Sequence, residues 1–206
     1  MRREALFSSF INHPYFTKDQ LRPLASNFAI PESTFNSYIH KALRDAQIIR
    51  LKKNHYVSHT FFEAHKTNVR YLFFLANALI KPSYISLETA LQHYGLFAEA
   101  VHYHYASVTS KLPRKFTNRA GNYSYRKMSE KLFTDFTTIK GDFEFTIALP
   151  HKAVFDYLYY YTKGFTKNVH PDLLEELRID VTPLSREGKK SLRELVARFT
   201  PVKIRI

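Results

Sequence analysis

The 206-residue sequence predicts an α+β protein built in two parts, and the spacing of its apolar residues gives three reasons. Three segments with helical periodicity and a β-hairpin pattern follow one another within residues 1–60. Further helical segments extend to residue 96, and residues 101–147 alternate aromatic and polar side chains, as strands do. We therefore predict an N-terminal domain of helices and a hairpin over residues 1–60, followed by a mixed α/β C-terminal domain over residues 61–206.

Charge restricts the partners of the protein more than it restricts the fold. The 31 Lys and Arg residues exceed the 18 Asp and Glu residues, so the formal net charge is +13 at pH 7. The isoelectric point is near 9.8. Such an excess favours polyanions, either a nucleic acid or an acidic protein surface.

Composition and segment lengths predict a cytoplasmic protein with no membrane partner. The sequence has no cysteine, which excludes disulfides, thiolate zinc sites and cysteine catalysis. The longest apolar run, from Tyr71 to Ile80, is too short to span a bilayer. The N-terminal segment lacks the apolar stretch and the small-residue cleavage site of a secretion signal.

Two short helices are predicted at the start of the chain. Residues 3–11 have helical periodicity, and Pro14 follows the end of this element. Thr17 and Gln20 have the spacing of a capping box, in which a hydroxyl and an amide satisfy backbone donors reciprocally. The second helix is therefore predicted to begin at Thr17.

A third helix is predicted after Ile30, with Pro31 at its first position and Glu32 in its first turn. Phe35 and Ile39 belong to an apolar stripe that should pack inward. The other face combines short hydrogen-bonding groups with cations, which suits contact with base edges. The residues predicted to approach the bases are Ser33, Thr34, Asn36, Ser37, His40 and Lys41.

The segments QIIRL and HYVSH, separated by three polar residues, are predicted to form a hairpin. Three short helices followed by a hairpin are the order of a winged helix-turn-helix, which places its third helix in the major groove of double-stranded DNA. Since winged helices also serve as protein–protein modules, an interaction module remains the alternative. The cations predicted to bind phosphates are Arg44, Arg50, Lys52 and Lys53.

The C-terminal domain is predicted to open with two helical segments. One helical pattern runs from Phe61 to Ile80, and Pro82 breaks it. Ser86 then has the position of an N-cap, and Gly95 ends the helix that follows.

Residues 101–147 are predicted to form three or four strands and contain the densest basic segment of the chain. Between Lys111 and Lys131 there are seven cations and one acid, Glu130. This ratio favours contact with a polyanion or an acidic partner over an ordinary solvated surface. The seven cations are Lys111, Arg114, Lys115, Arg119, Arg126, Lys127 and Lys131.

Three more elements are predicted towards the C-terminus. A helix over residues 150–162 carries several tyrosines, whose rings should be buried with the hydroxyls in water. A short helix near Pro171 to Leu177 and a basic helix from Ser185 to Phe199 complete the domain.

Two C-terminal segments resemble a known family. PSYISLETALQHYGL, residues 82–96, resembles the segment Y-[IV]-S-L-x-[ST]-A-L-x-x-[HY]-G-L of the abortive-infection AbiE-type antitoxins. FEFTIALPHKAVFDYLYY, residues 143–160, is similar to the strand-then-helix motif v-A-x-P-E-K-A-l-x-D-l-l-Y of that family. With the N-terminal module, the resemblance covers nearly the whole chain. The sequence departs from the family at His151, where Glu is usual, and in its wing, which lacks a common glycine.

The resemblance implies a transcriptional autorepressor that is also the antitoxin of a type IV toxin–antitoxin system acting in phage defence. It implies operator binding by the N-terminal module, by a protein that is monomeric in solution and binds DNA cooperatively. It also implies that the C-terminal domain neutralises a cognate nucleotidyltransferase toxin without needing a stable complex.

The sequence completes none of the enzymatic motifs considered. Its five glycines are never fewer than 20 residues apart, which excludes the P-loop, the Rossmann fingerprint and the serine nucleophile elbow. Asp142 and Glu144 have the spacing of a metal-binding strand, but the Gly-Ser turn of a nucleotidyltransferase is missing upstream. His93, His102 and His104 are interpreted as core or surface residues rather than zinc ligands. We therefore predict no catalysis, cofactor or metal, with a metal-dependent nucleotidyltransferase as the least favoured alternative.

Overall fold

The first part of the chain forms three helices and three strands. The structure, a computed structural model, describes residues 2–97 and 103–206. The first six elements are α1 (Arg2–Ser8), β1 (Phe16–Thr17), α2 (Lys18–Asn27), α3 (Glu32–Arg44), β2 (Ile48–Lys52) and β3 (His55–Ser58). The strands form an antiparallel sheet in the order β1-β3-β2.

The capping box predicted at the start of α2 is confirmed. The Thr17 hydroxyl accepts a hydrogen bond from the backbone N–H of Gln20 at 3.2 Å, and the Gln20 side-chain oxygen accepts one from the Thr17 N–H at 2.8 Å. Strand β1, just before this helix, has no counterpart in the sequence prediction, because two residues are too few to show alternation. Its pairing with His55 and Tyr56 of β3 defines it.

The rest of the described chain adds six helices and a six-stranded sheet, and the predicted α+β class is confirmed. The elements are α4 (His59–His65), α5 (Val69–Leu79), β4 (Ser83–Ile85), α6 (Leu87–His93), β5 (His104–Thr109), β6 (Arg114–Asn118), β7 (Gly121–Lys127), β8 (Phe136–Ile139), β9 (Phe145–Ala148), α7 (Pro150–Tyr161), α8 (Leu173–Glu176) and α9 (Arg186–Ala197). The strand order is β6-β7-β5-β4-β9-β8. The pairs β5–β7 and β4–β9 are parallel, and the other neighbours are antiparallel.

The helical pattern predicted from Phe61 to Ile80 is divided into two helices, α4 and α5. The break lies at Asn68, whose side-chain oxygen accepts hydrogen bonds from the backbone N–H groups of Arg70 at 3.0 Å and Tyr71 at 3.3 Å. Asn caps a helix well because its short side chain reaches the first free N–H groups. The apolar periodicity of the two helices is similar, so it does not show the break.

The apolar run in α5 belongs to the interior of the protein, as predicted. Seven of the eleven residues of α5 are buried, which identifies it as a core helix. Within the described part of the chain, no helix combines the length and the apolar character that crossing a membrane requires.

The segment after Pro82 forms a central strand, where the sequence predicts only a helix break. In β4, Tyr84 pairs with Val108 of β5, and Ile85 pairs with Ile147 of β9. Three residues show too little alternation to be recognised as a strand. Its place between β5 and β9 is fixed by tertiary pairing.

Two hydrophobic clusters form the interior, and the β2–β3 hairpin contributes to both. Ile48 and Tyr56 belong to the smaller cluster, together with side chains from α1, α2 and α3. Ile49, Leu51 and Val57 belong to the larger cluster, which also contains the residues of the six-stranded sheet. Because successive side chains of a strand point to opposite faces, both faces of the hairpin are buried.

The helix cap at Asn68 leads to a prediction about stability. Asn68→Ala should lower the free energy of unfolding by about 1 kcal/mol, because two N–H groups at the start of α5 lose their acceptor. Urea unfolding followed by circular dichroism measures this loss. Thr67→Ala, at the exposed neighbouring position, should change the value by less than about 0.5 kcal/mol. Equal losses in both variants would contradict the cap.

Candidate nucleic-acid interface

Helix α3 presents a polar face to solvent, and its predicted inward residues Phe35 and Ile39 are buried. Thr34 and Asn36 are partly buried. The Ser37 hydroxyl donates to the backbone carbonyl of Ser33 at 3.0 Å, so a base would have to compete for that donor. The exposed members of the predicted set are Ser33, Ser37, His40, Lys41 and Arg44.

The acid in the first turn of α3 is paired with cations of α2. Glu32 accepts a hydrogen bond from the Lys18 ammonium at 2.9 Å, and the Arg22 guanidinium lies 3.5 Å away. The hydrogen bond from Lys18 lowers the pKa of Glu32, and the positive charge of Arg22 lowers it further. Because these cations offset the carboxylate, its repulsion of an approaching polyanion is reduced.

The turn between β2 and β3 contains Asn54 and no glycine. Its φ is +62°, a left-handed conformation that Asn adopts more readily than most other non-glycine residues. The turn therefore forms without glycine. Arg50 and Lys53, which were predicted to contact phosphates, are exposed on this hairpin.

Lys52 lies at the end of β2 beside the hairpin turn, as predicted, but its side chain is not fully exposed. It is half-buried, and its ammonium donates a hydrogen bond to the backbone carbonyl of Leu79, the last residue of α5. Burial lowers the pKa of Lys52, and repulsion by Arg114 and Lys111 lowers it further. The side chain turns towards the C-terminal domain instead of projecting into solvent beside Lys53.

The basic segment between Lys111 and Lys131 is divided by the fold. Arg126 lies over the ring of Tyr160, 5.2 Å from its centroid, and the Tyr160 hydroxyl donates to the Lys127 carbonyl at 2.6 Å. Lys131 is exposed in a short 3-10 helix after β7. None of these three cations is among the described residues that line the groove between β6 and the hairpin. The four that line it are Lys111, Arg114, Lys115 and Arg119.

This groove, which we call the basic groove, joins the two sets of cations that the sequence predicted separately. Its volume is about 1220 Å³, and it runs between the β2–β3 hairpin and β6. Leu43 of α3, Ile80 and Phe116 add apolar surface to its wall. The cations that line it are Arg50, Lys52, Lys53, Lys111, Arg114, Lys115 and Arg119.

The charge around the basic groove is strongly unbalanced. Among the described residues that line it there are seven cations and one acid, Asp19. Asp19 already accepts a hydrogen bond from Arg22 at 3.0 Å. A concave surface lined by one sign of charge focuses the electric field and attracts a polyanion.

The acids and histidines of the alternative enzymatic interpretations lie in two places, and His93 and His104 line the same pocket. Asp142 and Glu144 are exposed just before β9. A ring nitrogen of His104 lies 3.0 Å from the Ser124 hydroxyl, and His102 lies outside the described residues. Across residues 2–97 and 103–206, no three His, Asp or Glu side chains are grouped so that they could hold a metal ion.

The sequence prediction missed a buried polar network between β4 and α7. Asp156 of α7 accepts hydrogen bonds from the Lys152 ammonium at 2.6 Å, the Ser86 hydroxyl at 2.8 Å and the Tyr84 hydroxyl at 3.0 Å. Lys152 also donates to the Leu132 carbonyl at 2.7 Å. Ser86 is the N-cap residue of α6, as predicted, but its hydroxyl donates to Asp156 and caps no N–H group of the helix.

This network connects the two segments that carry the family resemblance. Tyr84 and Ser86 come from residues 82–96, and the ion pair comes from residues 143–160. Lys152 and Asp156 are exposed by only 1% and 0%. The network therefore fixes α7 against β4 and is not a ligand contact. The signal in the sequence is an i, i+4 pair of opposite charges inside an otherwise apolar helix.

Burial also changes the protonation equilibria around the network. It raises the pKa of Asp156, and the ammonium of Lys152 and the hydroxyls of Ser86 and Tyr84 oppose this by stabilising the carboxylate. Burial lowers the pKa of His151, the residue that departs from the family pattern. This shift favours the neutral imidazole, and neither form of a histidine reproduces the negative charge of the usual Glu.

Removing one partner of the buried Lys152–Asp156 pair should lower the stability of the fold. Lys152→Met should lower the free energy of unfolding by about 3–5 kcal/mol, because it leaves the Asp156 carboxylate buried without its counter-ion. Urea unfolding measures the change. Lys167→Met, at an exposed position after α7, is the matched control and should stay within about 0.5 kcal/mol of the original protein. A loss below about 1 kcal/mol for Lys152→Met would contradict a structural role for the pair.

The sequence matches no protein-family model and no curated protein. The similarity of residues 82–96 and 143–160 to AbiE-type antitoxins is therefore a resemblance of motifs. The function has to be inferred from the surface and the interior described above.

Proposed function

We propose that the protein is a DNA-binding transcriptional repressor whose C-terminal domain acts as an antitoxin. The observation that carries this proposal is the basic groove, where cations from the hairpin and from β6 line one concave surface. A surface with seven cations and one acid suits the phosphate backbone of a nucleic acid. The overall charge of +13 adds long-range attraction for the same partner.

We infer that the N-terminal sixty residues act as a winged helix-turn-helix. The element order α1-β1-α2-α3-β2-β3, with strands in the order β1-β3-β2, supports this inference. Helix α3 is third in that order and presents polar side chains to solvent, as a recognition helix does. The β2–β3 hairpin would then be the wing.

In this proposal, bases and phosphates are contacted by different parts of the surface. The exposed face of α3 would approach base edges in the major groove and determine sequence preference. The cations of the basic groove would bind phosphates and determine affinity and position. The groove cations proposed to bind phosphates are Arg50, Lys53, Lys111, Arg114, Lys115 and Arg119.

We assign the antitoxin role to the C-terminal domain on the strength of the two resembling segments. In the fold these segments pack together through Asp156, which supports treating them as one functional unit. The proposed partner is a nucleotidyltransferase toxin, neutralised with or without a stable complex, and the proposed DNA target is the operator of the protein's own gene. This function requires no catalysis by the chain itself.

An acidic protein is the second candidate for the partner of the basic groove. Leu43, Ile80 and Phe116 contribute apolar surface beside the cations, and protein–protein interfaces combine apolar cores with charged rims. In that case the N-terminal module would bind a protein instead of DNA. The salt dependence of DNA binding separates the two possibilities.

Reversing two charges in the basic groove should weaken DNA binding. Arg114→Glu combined with Lys115→Glu should lower affinity for the DNA upstream of the gene. It should also reduce the slope of log K against log salt by about two, because two phosphate contacts are lost. Fluorescence anisotropy over a series of salt concentrations measures both quantities.

The matched control makes the same change of charge outside the groove. Lys163→Glu combined with Lys167→Glu alters exposed residues that do not line it, and the salt slope should be preserved. The proposal fails if the original protein binds this DNA without salt dependence, or if both double variants lose the same affinity.

The antitoxin role should be separable from DNA binding. Co-expression of the chain with the product of the adjacent gene, the proposed nucleotidyltransferase toxin, should restore the growth that this product inhibits. The Arg114→Glu, Lys115→Glu variant should restore growth equally well, because the basic groove is assigned to DNA. Colony counts with and without toxin induction measure the effect, and no rescue by the original chain would refute the antitoxin assignment.

A further inference from the structure

Two side-chain hydrogen bonds attach the β2–β3 hairpin to the C-terminal domain. The Lys52 ammonium donates to the Leu79 carbonyl, and the Asn118 side-chain amide of β6 donates to the Leu51 carbonyl at 2.7 Å. Leu51 and Lys52 are adjacent, so the end of β2 is attached to two separate elements of the C-terminal domain. These elements are the last residue of α5 and strand β6.

The partner of Lys52 is well suited to a cation. Leu79 is the last residue of α5, and Ile80 after it is already extended. The last carbonyls of a helix lack intrahelical partners and carry the negative end of the helix dipole. An ammonium that donates to such a carbonyl satisfies it and is attracted to the helix end.

The direction of the Lys52 side chain coincides with an irregularity in the pairing of the hairpin strands. The pairing of β2 with β3 shifts register between Arg50 and Lys52. A bulge of this kind changes the direction in which a side chain points. It accounts for the difference between Lys52, which is half-buried, and the exposed Arg50 and Lys53 beside it.

We infer that Lys52 and Asn118 are positioning residues, which attach the hairpin to the C-terminal domain and thereby set the distance between the two sides of the basic groove. Lys52 acts through the hairpin and does not bind a phosphate itself. The consequence for DNA rests on the proposed function, whereas the attachment is a property of the free protein. The hairpin is therefore a rigid side of the groove.

Occupation of the basic groove should strengthen this attachment. Lys111 and Arg114 lie close enough to Lys52 to repel its charge. A polyanion that neutralises these two residues removes the repulsion and stabilises the ammonium at the end of α5. By linkage, an attached hairpin must then bind the polyanion more tightly than a detached one.

Hydrogen–deuterium exchange of the free protein tests the attachment. Lys52→Met keeps the length of the side chain and removes the donor, and it should accelerate amide exchange in the hairpin about tenfold. Lys53→Met, one residue away at the exposed turn, is the matched control and should leave exchange unchanged. Unchanged exchange in Lys52→Met would overturn the inference.

A second variant tests the attachment independently of Lys52. Asn118→Asp removes the amide donor to the Leu51 carbonyl. It keeps the side-chain oxygen that accepts a hydrogen bond from the Ala120 N–H at 2.7 Å. It should accelerate exchange in the same hairpin. The Tyr71 hydroxyl still donates to the Pro14 carbonyl at 2.8 Å in either variant, so the two parts of the chain remain packed together.

Salt titrations on the upstream DNA distinguish a positioning residue from a phosphate ligand. Lys53→Met should reduce the salt slope by about one, whereas Lys52→Met should lower affinity about fivefold with the slope unchanged. A reduced slope in Lys52→Met would make it a phosphate ligand and overturn the inference. Absence of salt-dependent binding by the original protein would refute the proposed function, and the exchange experiment would still decide the role of Lys52.

Discussion

Burial of both faces of the β2–β3 hairpin is the constraint on which the rest of the arrangement depends. A two-stranded hairpin is marginally stable by itself in water. Here one face packs on the N-terminal helices through Ile48 and Tyr56, and the other joins the larger cluster through Ile49, Leu51 and Val57. A shift of register by one residue would exchange the two faces, so packing from both sides fixes the register. Any surface that the hairpin shares with β6 therefore has a defined shape.

This packing brings together cations that are far apart in sequence. Arg50 and Lys53 come from the hairpin, and Arg114 and Lys115 come from β6, yet all four line one groove. Like charges at such a surface repel one another and destabilise the compact state. The stability of the fold does not require this clustering, which is the basis for proposing a polyanionic partner. The apolar clusters on either side of the hairpin supply the stability that offsets the repulsion.

A second constraint acts between α7 and β4. Removing Lys152 and Asp156 from water is unfavourable, but the Asp156 carboxylate accepts three hydrogen bonds and the ammonium also reaches a backbone carbonyl. Since the donors come from β4, from Ser86 just after it and from α7 itself, the network fits one placement of the helix on the sheet. The two segments that resemble the antitoxin family are thus joined by geometry that is specific to these residue types.

The sequence by itself determined several of the local elements and the sign of the charge. The capping box at Thr17, the amphipathic third helix and the basic segments all follow from neighbours a few residues apart, or from composition. Only the tertiary structure decided that Lys52 donates to Leu79 and that Ser86 donates to Asp156, across 27 and 70 residues of chain. The physical reason is that burial and hydrogen-bond partners depend on which distant segments pack together. Local periodicity does not contain that information, so the basic groove could not be foreseen as one surface.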